Sequence, residues 1–153
     1  MRTRKVLLGV GLCLVAVACY GADPSMGTWK MNTAKSRIPK GAPKNTTVVY
    51  EAAGDDVKIT VDGVNADGTP RHDEWTGKFD GNDYPVTGNS GEDTRALKKI
   101  NDHTYTLTSK KDGQTTVTGH IVIDPDGKTR TVTTMRTGPN GKMITSRAVY
   151  DKK

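Results

Sequence analysis

From Thr46 to Tyr150 the chain alternates apolar and polar residues in short runs separated by turn-forming pairs. The clearest run sets Val57, Ile59 and Val61 against Lys58, Thr60 and Asp62, the two-residue period of a strand with one buried face. Ala53-Gly54-Asp55-Asp56, Asn65-Ala66-Asp67-Gly68, Lys111-Asp112-Gly113, Asp124-Pro125-Asp126-Gly127 and Gly138-Pro139-Asn140-Gly141 punctuate the series. Asp-Gly and Asn-Gly pairs reach positive φ at low cost and mark hairpins. Turns recur about every 8 to 12 residues, the spacing of an all-β sandwich or barrel. Thr46 to Ala52, Arg71 to Phe79, Tyr84 to Val86, Asp93 to Ile100, Thr104 to Lys110, Gln114 to Ile123, Thr129 to Thr137 and Lys142 to Tyr150 read as further strands. No segment after Ile38 has a helical period.

Ahead of this meander, Gly27-Thr28-Trp29-Lys30-Met31 places Trp29 and Met31 on one face and Thr28 and Lys30 on the other, as in a strand. Asn32 to Arg37 suits a helical turn capped by Asn32 or Thr33. Pro39, Gly41 and Pro43 then exclude regular structure, so this stretch should cross one end of the fold. About ten strands joined by tight turns favour up-and-down order over a Greek key, and closing the sheet removes its unpaired edges. The expected fold is all-β: a single antiparallel up-and-down β-barrel of about 8–10 strands. Residues 23–45 supply the first strand and end-crossing loop, residues 46–153 the rest, and Trp29 plugs one end.

Composition sharpens this picture. Only 33% of the residues are hydrophobic, so Trp29, Trp75, Phe79, Tyr50 and Tyr84 should carry much of the core. Residues 1–22 look like an export signal: Arg2, Arg4 and Lys5 precede an apolar run from Val6 to Val17, with small residues at Ala16 and Ala18. That run is shorter than the ~20 residues needed to span a bilayer, so no membrane span is expected and the product is periplasmic or secreted. Val15-Ala16-Val17-Ala18-Cys19 loosely resembles a lipobox, which makes a lipoprotein anchored through Cys19 the alternative. Both cysteines, Cys13 and Cys19, lie in this leader, leaving no disulfide or thiol chemistry in the barrel. The net charge is +6; without Arg2, Arg4 and Lys5, 20 basic residues face 17 acidic ones, which gives no electrostatic case for nucleic acid.

Gly27-Thr28-Trp29 resembles the Gly-x-Trp signature of lipocalins and related calycins, whose tryptophan lies across the closed end beneath an Arg or Lys from a late strand. The resemblance implies Gly27, Trp29 and Arg147 as the barrel-closing residues, Arg147 stacking on the indole for about 0.5 to 2 kcal/mol. A wider set adds Ala34-Lys35-Ser36, Tyr50 to Asp55, Lys78 to Gly88 and Ala148-Val149-Tyr150. Together they resemble a family of small exported bacterial lipocalin-like proteins. That likeness covers nearly all of the chain after the leader and implies a barrel, but it brings no ligand-binding or catalytic residues.

No constellation for catalysis emerges. His72 and Glu74 share a strand face and His120 lies on a later strand, yet their spacing matches no metal or catalytic motif. The remaining carboxylates sit mostly in turns, where conformation accounts for them. Arg95, Lys98, Lys99, Lys110, Lys111, Arg130 and Arg136 are expected on a solvated exterior. The reading is therefore a monomeric, non-enzymatic binding protein without cofactor or metal, holding a small apolar or amphipathic ligand. A structural or adaptor protein of the envelope with a filled barrel is the alternative.

Overall fold

The structure is a computed structural model that describes residues 22–138 and 140–153. Apart from Ala22, the expected leader, Cys19 included, lies outside the described residues.

Ten antiparallel strands run in chain order: β1 Gly27–Met31, β2 Lys44–Ala53, β3 Asp56–Val64, β4 Pro70–Gly77, β5 Tyr84–Gly88, β6 Thr94–Asn101, β7 Thr104–Lys111, β8 Gln114–Ile123, β9 Thr129–Thr137 and β10 Met143–Lys152. Each pairs with its sequence neighbour, and β1 also pairs with β10, so the sheet closes as an up-and-down barrel. Closure passes through the tryptophan, since Trp29 lies opposite Val48 on β2 and opposite Lys152 on β10.

Local chemistry explains the hairpins. Asp112 (φ 50°) and Gly113 (φ 73°) both take left-handed conformations between β7 and β8, as a two-residue type I′ turn requires. Between β1 and β2, the Asn32 side-chain oxygen accepts the Lys35 backbone N–H (3.2 Å), capping the expected turn, and Arg37 then bridges to Arg147 of β10. At Gly77 a Cβ would collide with the Tyr84 ring; its absence lets Tyr84 meet Trp75 edge-on, with centroids 5.7 Å apart.

The strand period sorts the side chains. Val48 and Tyr50, Ile59 and Val61, Leu97, Val117, Ile121 and Ile123, and Ala148 and Tyr150 are buried inside. The aliphatics occupy the middle of the barrel, whereas its two ends are built from aromatic and charged groups. The end carrying Trp29, the β2–β3 turn and the chain terminus is called here the aromatic end; the end carrying the β3–β4 and β7–β8 turns is the ionic end.

Candidate functional site

Trp29, fully buried, donates its indole N–H to the Ser25 carbonyl (2.8 Å). Residues Asp23 to Met26 thereby form a strap across the aromatic end. Asp23 fixes the strap: its carboxylate accepts from the Ser25 hydroxyl (2.6 Å), the Tyr105 hydroxyl (2.8 Å) and Lys99 (2.9 Å). Burial pushes this carboxyl up, but the hydrogen bonds from Ser25, Lys99 and Tyr105 outweigh it and hold the pKa down to about 2. Behind the strap, Trp75 stacks on Phe79 (6.3 Å) and Phe79 meets Tyr105 edge-on (5.1 Å), both favourable aromatic geometries.

The guanidinium over the indole is that of Arg130 on β9, with the Lys152 ammonium 5.1 Å from the same ring, and this corrects the assignment to Arg147. The Arg130 guanidinium lies 4.8 Å from the Trp29 ring and 4.9 Å from each of the Tyr50 and Tyr150 rings. It is 2% exposed, and its Nε and Nη1 have no hydrogen-bond partner, so three ring faces stand in for hydrogen-bond acceptors. Arg147 is out of phase with the buried Ala148 and Tyr150 and points outward, donating to the Lys35 carbonyl (3.2 Å). Gly27 opens β1 at φ 103°, where the side chain of Lys152 passes close by on its way over Trp29.

At the ionic end two arginines and two carboxylates alternate in a closed ring. Arg71 meets Asp73 at 3.0 Å and Glu92 at 3.2 Å, while Arg95 meets Asp73 at 3.1 Å and Glu92 at 2.6 Å. Ser109 donates to Glu92 at 2.9 Å. Arg71, Asp73 and Arg95 are buried and Glu92 is half-buried, an arrangement tolerable only because each charge is paired and hydrogen-bonded. Burial raises the Glu92 carboxyl, but Arg95, then Arg71 and Ser109, bring it below its ordinary value. The strand period creates the ring: Arg71 and Asp73 share the phase of Trp75 on β4, and Arg95 shares that of Leu97 on β6.

Between the two ends lies an interior cavity of about 100 Å³. Val48, Ile59, Val61, Leu97, Leu107, Ile121 and Val132 form its apolar wall, and Arg71, Glu92, Arg95, Arg130 and Arg136 reach it from the ends. The expected solvated basic exterior is thus corrected at three positions. Arg95 and Arg130 are buried inside, and the half-buried Arg136 lines the cavity. Lys99, Lys110 and Lys111 pair with Asp23, Asp83 and Asp93.

The histidine candidates do not converge. His72 contacts Asp62 at 2.7 Å and Glu74 at 4.0 Å on the exterior, while His120 lies exposed on β8 between Thr106 and Thr133. The hydrogen bond to Asp62 raises the His72 pKa. Among the described residues no group of three His, Cys, Asp or Glu side chains has metal-binding geometry. In a scan of models of known protein families none matches this chain, and a search of curated proteins likewise returns no match.

Proposed function

We propose that this protein is an exported lipocalin-like binding protein that holds a small amphipathic ligand inside its barrel and performs no chemistry. The observation that carries this reading is the cavity of about 100 Å³, with an apolar wall and charged groups at its ends. An apolar lining with a few convergent polar groups is the usual composition of a small-molecule site. The volume sets the ligand's scale. It is about three times the roughly 30 Å³ that a water occupies in the liquid and well under the roughly 300–1,000 Å³ of drug-sized sites. A short molecule of a few heavy atoms fits without rearrangement. Native mass spectrometry of protein gently extracted from its own host tests this: a reproducible adduct, released on denaturation, is expected. An adduct-free protein in repeated preparations would overturn the reading.

The modest size of the cavity favours one second reading, an envelope structural or adaptor protein whose barrel is essentially filled and whose outer surface does the work. Tethering through Cys19 would suit that role. Palmitate incorporation that is lost in Cys19→Ser would support it, and an unmodified amino terminus near Asp23 would remove the tether.

A further inference from the structure

The charges facing the barrel interior do not cancel. In the ionic ring Arg71 and Arg95 balance Asp73 and Glu92, contact by contact. Arg136 lines the same cavity beside this ring, and among the described residues no carboxylate lies within ion-pairing distance of it. Its neighbours make this worse, because burial and then the Arg71 charge lower its pKa, and Glu92 only partly offsets them. At the opposite end Arg130 is also without a carboxylate, but the three aromatic faces around it supply negative potential. Among the described residues Arg136, at the ionic end, therefore has neither a carboxylate nor an aromatic face against it.

We infer that the cavity takes a short-chain monocarboxylate, its oxyanion held by Arg136 beside the ionic ring and its apolar chain against Leu97, Leu107 and Val132. This deepens the binding reading above and rests on it. The carboxylate is favoured by charge and shape. A single uncompensated guanidinium calls for about one negative charge, and a planar carboxylate matches the planar fork of Arg with two parallel hydrogen bonds. A phosphate monoester brings nearly two charges and a bulkier headgroup. The alkyl chain then lies where the wall is aliphatic.

The test compares butanoate with butan-1-ol, of equal chain length and short enough for the cavity, by NMR titration of isotope-labelled protein, reading the Leu107 and Val132 resonances and the Arg136 side-chain N–H. The wild-type protein should bind butanoate at least about tenfold more tightly, the ratio that one charge-assisted hydrogen bond supports. Arg136→Gln should abolish that preference, and Arg136→Lys should keep part of it. Since Arg136 is half-buried and outside the ion-pair ring, Arg136→Gln should leave the barrel intact. Should it fail to fold, the acid-against-alcohol ratio in the wild type decides. Equal affinity for acid and alcohol overturns the carboxylate inference and leaves the binding reading standing. An acid preference that survives in Arg136→Gln overturns the role given to Arg136. No shift of the inward-facing resonances with either compound overturns the binding reading itself.

Discussion

The two ends of this barrel solve one problem by opposite means. At the aromatic end a lone guanidinium, Arg130, is buried among three rings with two nitrogens unbonded. At the ionic end two guanidinium groups are buried only because two carboxylates alternate with them. Both replace aliphatic packing in a chain poor in aliphatics. The aromatic solution depends on ring contact, so it should respond to changes of shape and hardly to protonation of acids. The ionic solution depends on charge balance, and a nearly isosteric loss of one charge should break it.

The largest expected effect is therefore Asp73→Asn. It leaves the volume almost unchanged but removes the anion shared by Arg71 and Arg95, both buried. Breaking a buried ion pair from one side typically costs about 3–5 kcal/mol, and with both cations left to share Glu92 alone the upper part of that range is expected in urea unfolding. That is a large share of the roughly 5–15 kcal/mol that holds an ordinary domain together. A midpoint within error of the wild type would show that the ring is not what stabilises this end.

Trp29→Ala comes next, at about 3–5 kcal/mol by analogy with other buried aromatics. It removes the indole, the bond to Ser25 and one of the three faces around Arg130. The two variants separate the ends by their response to shape. At the ionic end isosteric Asp73→Asn is severe, whereas at the aromatic end Trp29→Phe, which keeps a ring face but loses the indole N–H, should lose much less than Trp29→Ala.

Acid separates the parts of the aromatic end itself. Asp23 has a folded pKa of about 2 against an ordinary 3.8, so its contribution is complete above pH 4 and is lost as the pH falls toward 2. The shift corresponds to at most about 2 kcal/mol, and about 1–2 kcal/mol is expected because the group sits at the barrel's rim, where solvent screens it. Glu92, also below its ordinary value, adds loss of the same sign at the ionic end. Asp23→Asn should thus destabilise the protein at pH 7, and the gap from the wild type should close toward pH 2. A gap that stays constant with pH would mean that the Asp23 charge does not hold the strap.

Much of the fold was legible in the chain. The Val57-Ile59-Val61 alternation, the Asp-Gly and Asn-Gly turns and the tryptophan strand each have a local cause, and they led to ten strands closed by β1 against β10. The site is less legible because a charged side chain in a strand implies an exposed face. Arg71 and Asp73 are in phase with Trp75, Arg95 with Leu97, and Arg130 with Val132, so phase alone places them inside. Arg71 and Asp73 neighbour each other on β4, but the contacts that close the ring, Arg71 to Glu92 and Arg95 to Asp73, join separate segments and leave no mark in either. The same phase rule separates Arg147 from Arg130: Ala148 and Tyr150 occupy the inner face of β10, which leaves Arg147 outside.

That distinction gives the smallest effect and a sharp one. Arg147→Ala removes a hydrogen bond to the Lys35 carbonyl at an exposed position, and a surface change of this kind is expected to stay within about 0.5 kcal/mol. Arg130→Ala should cost several times as much, because it opens a void among Trp29, Tyr50 and Tyr150 as well as removing their shared cation. The spectroscopic consequence is equally unequal. Of the two cations over Trp29, Arg130 and Lys152, one is lost in Arg130→Ala and neither in Arg147→Ala, so the near-ultraviolet circular dichroism should change in the first and stay as in the wild type in the second. The reverse pattern would return the closing role to β10 and remove the cation cage from the account of the aromatic end.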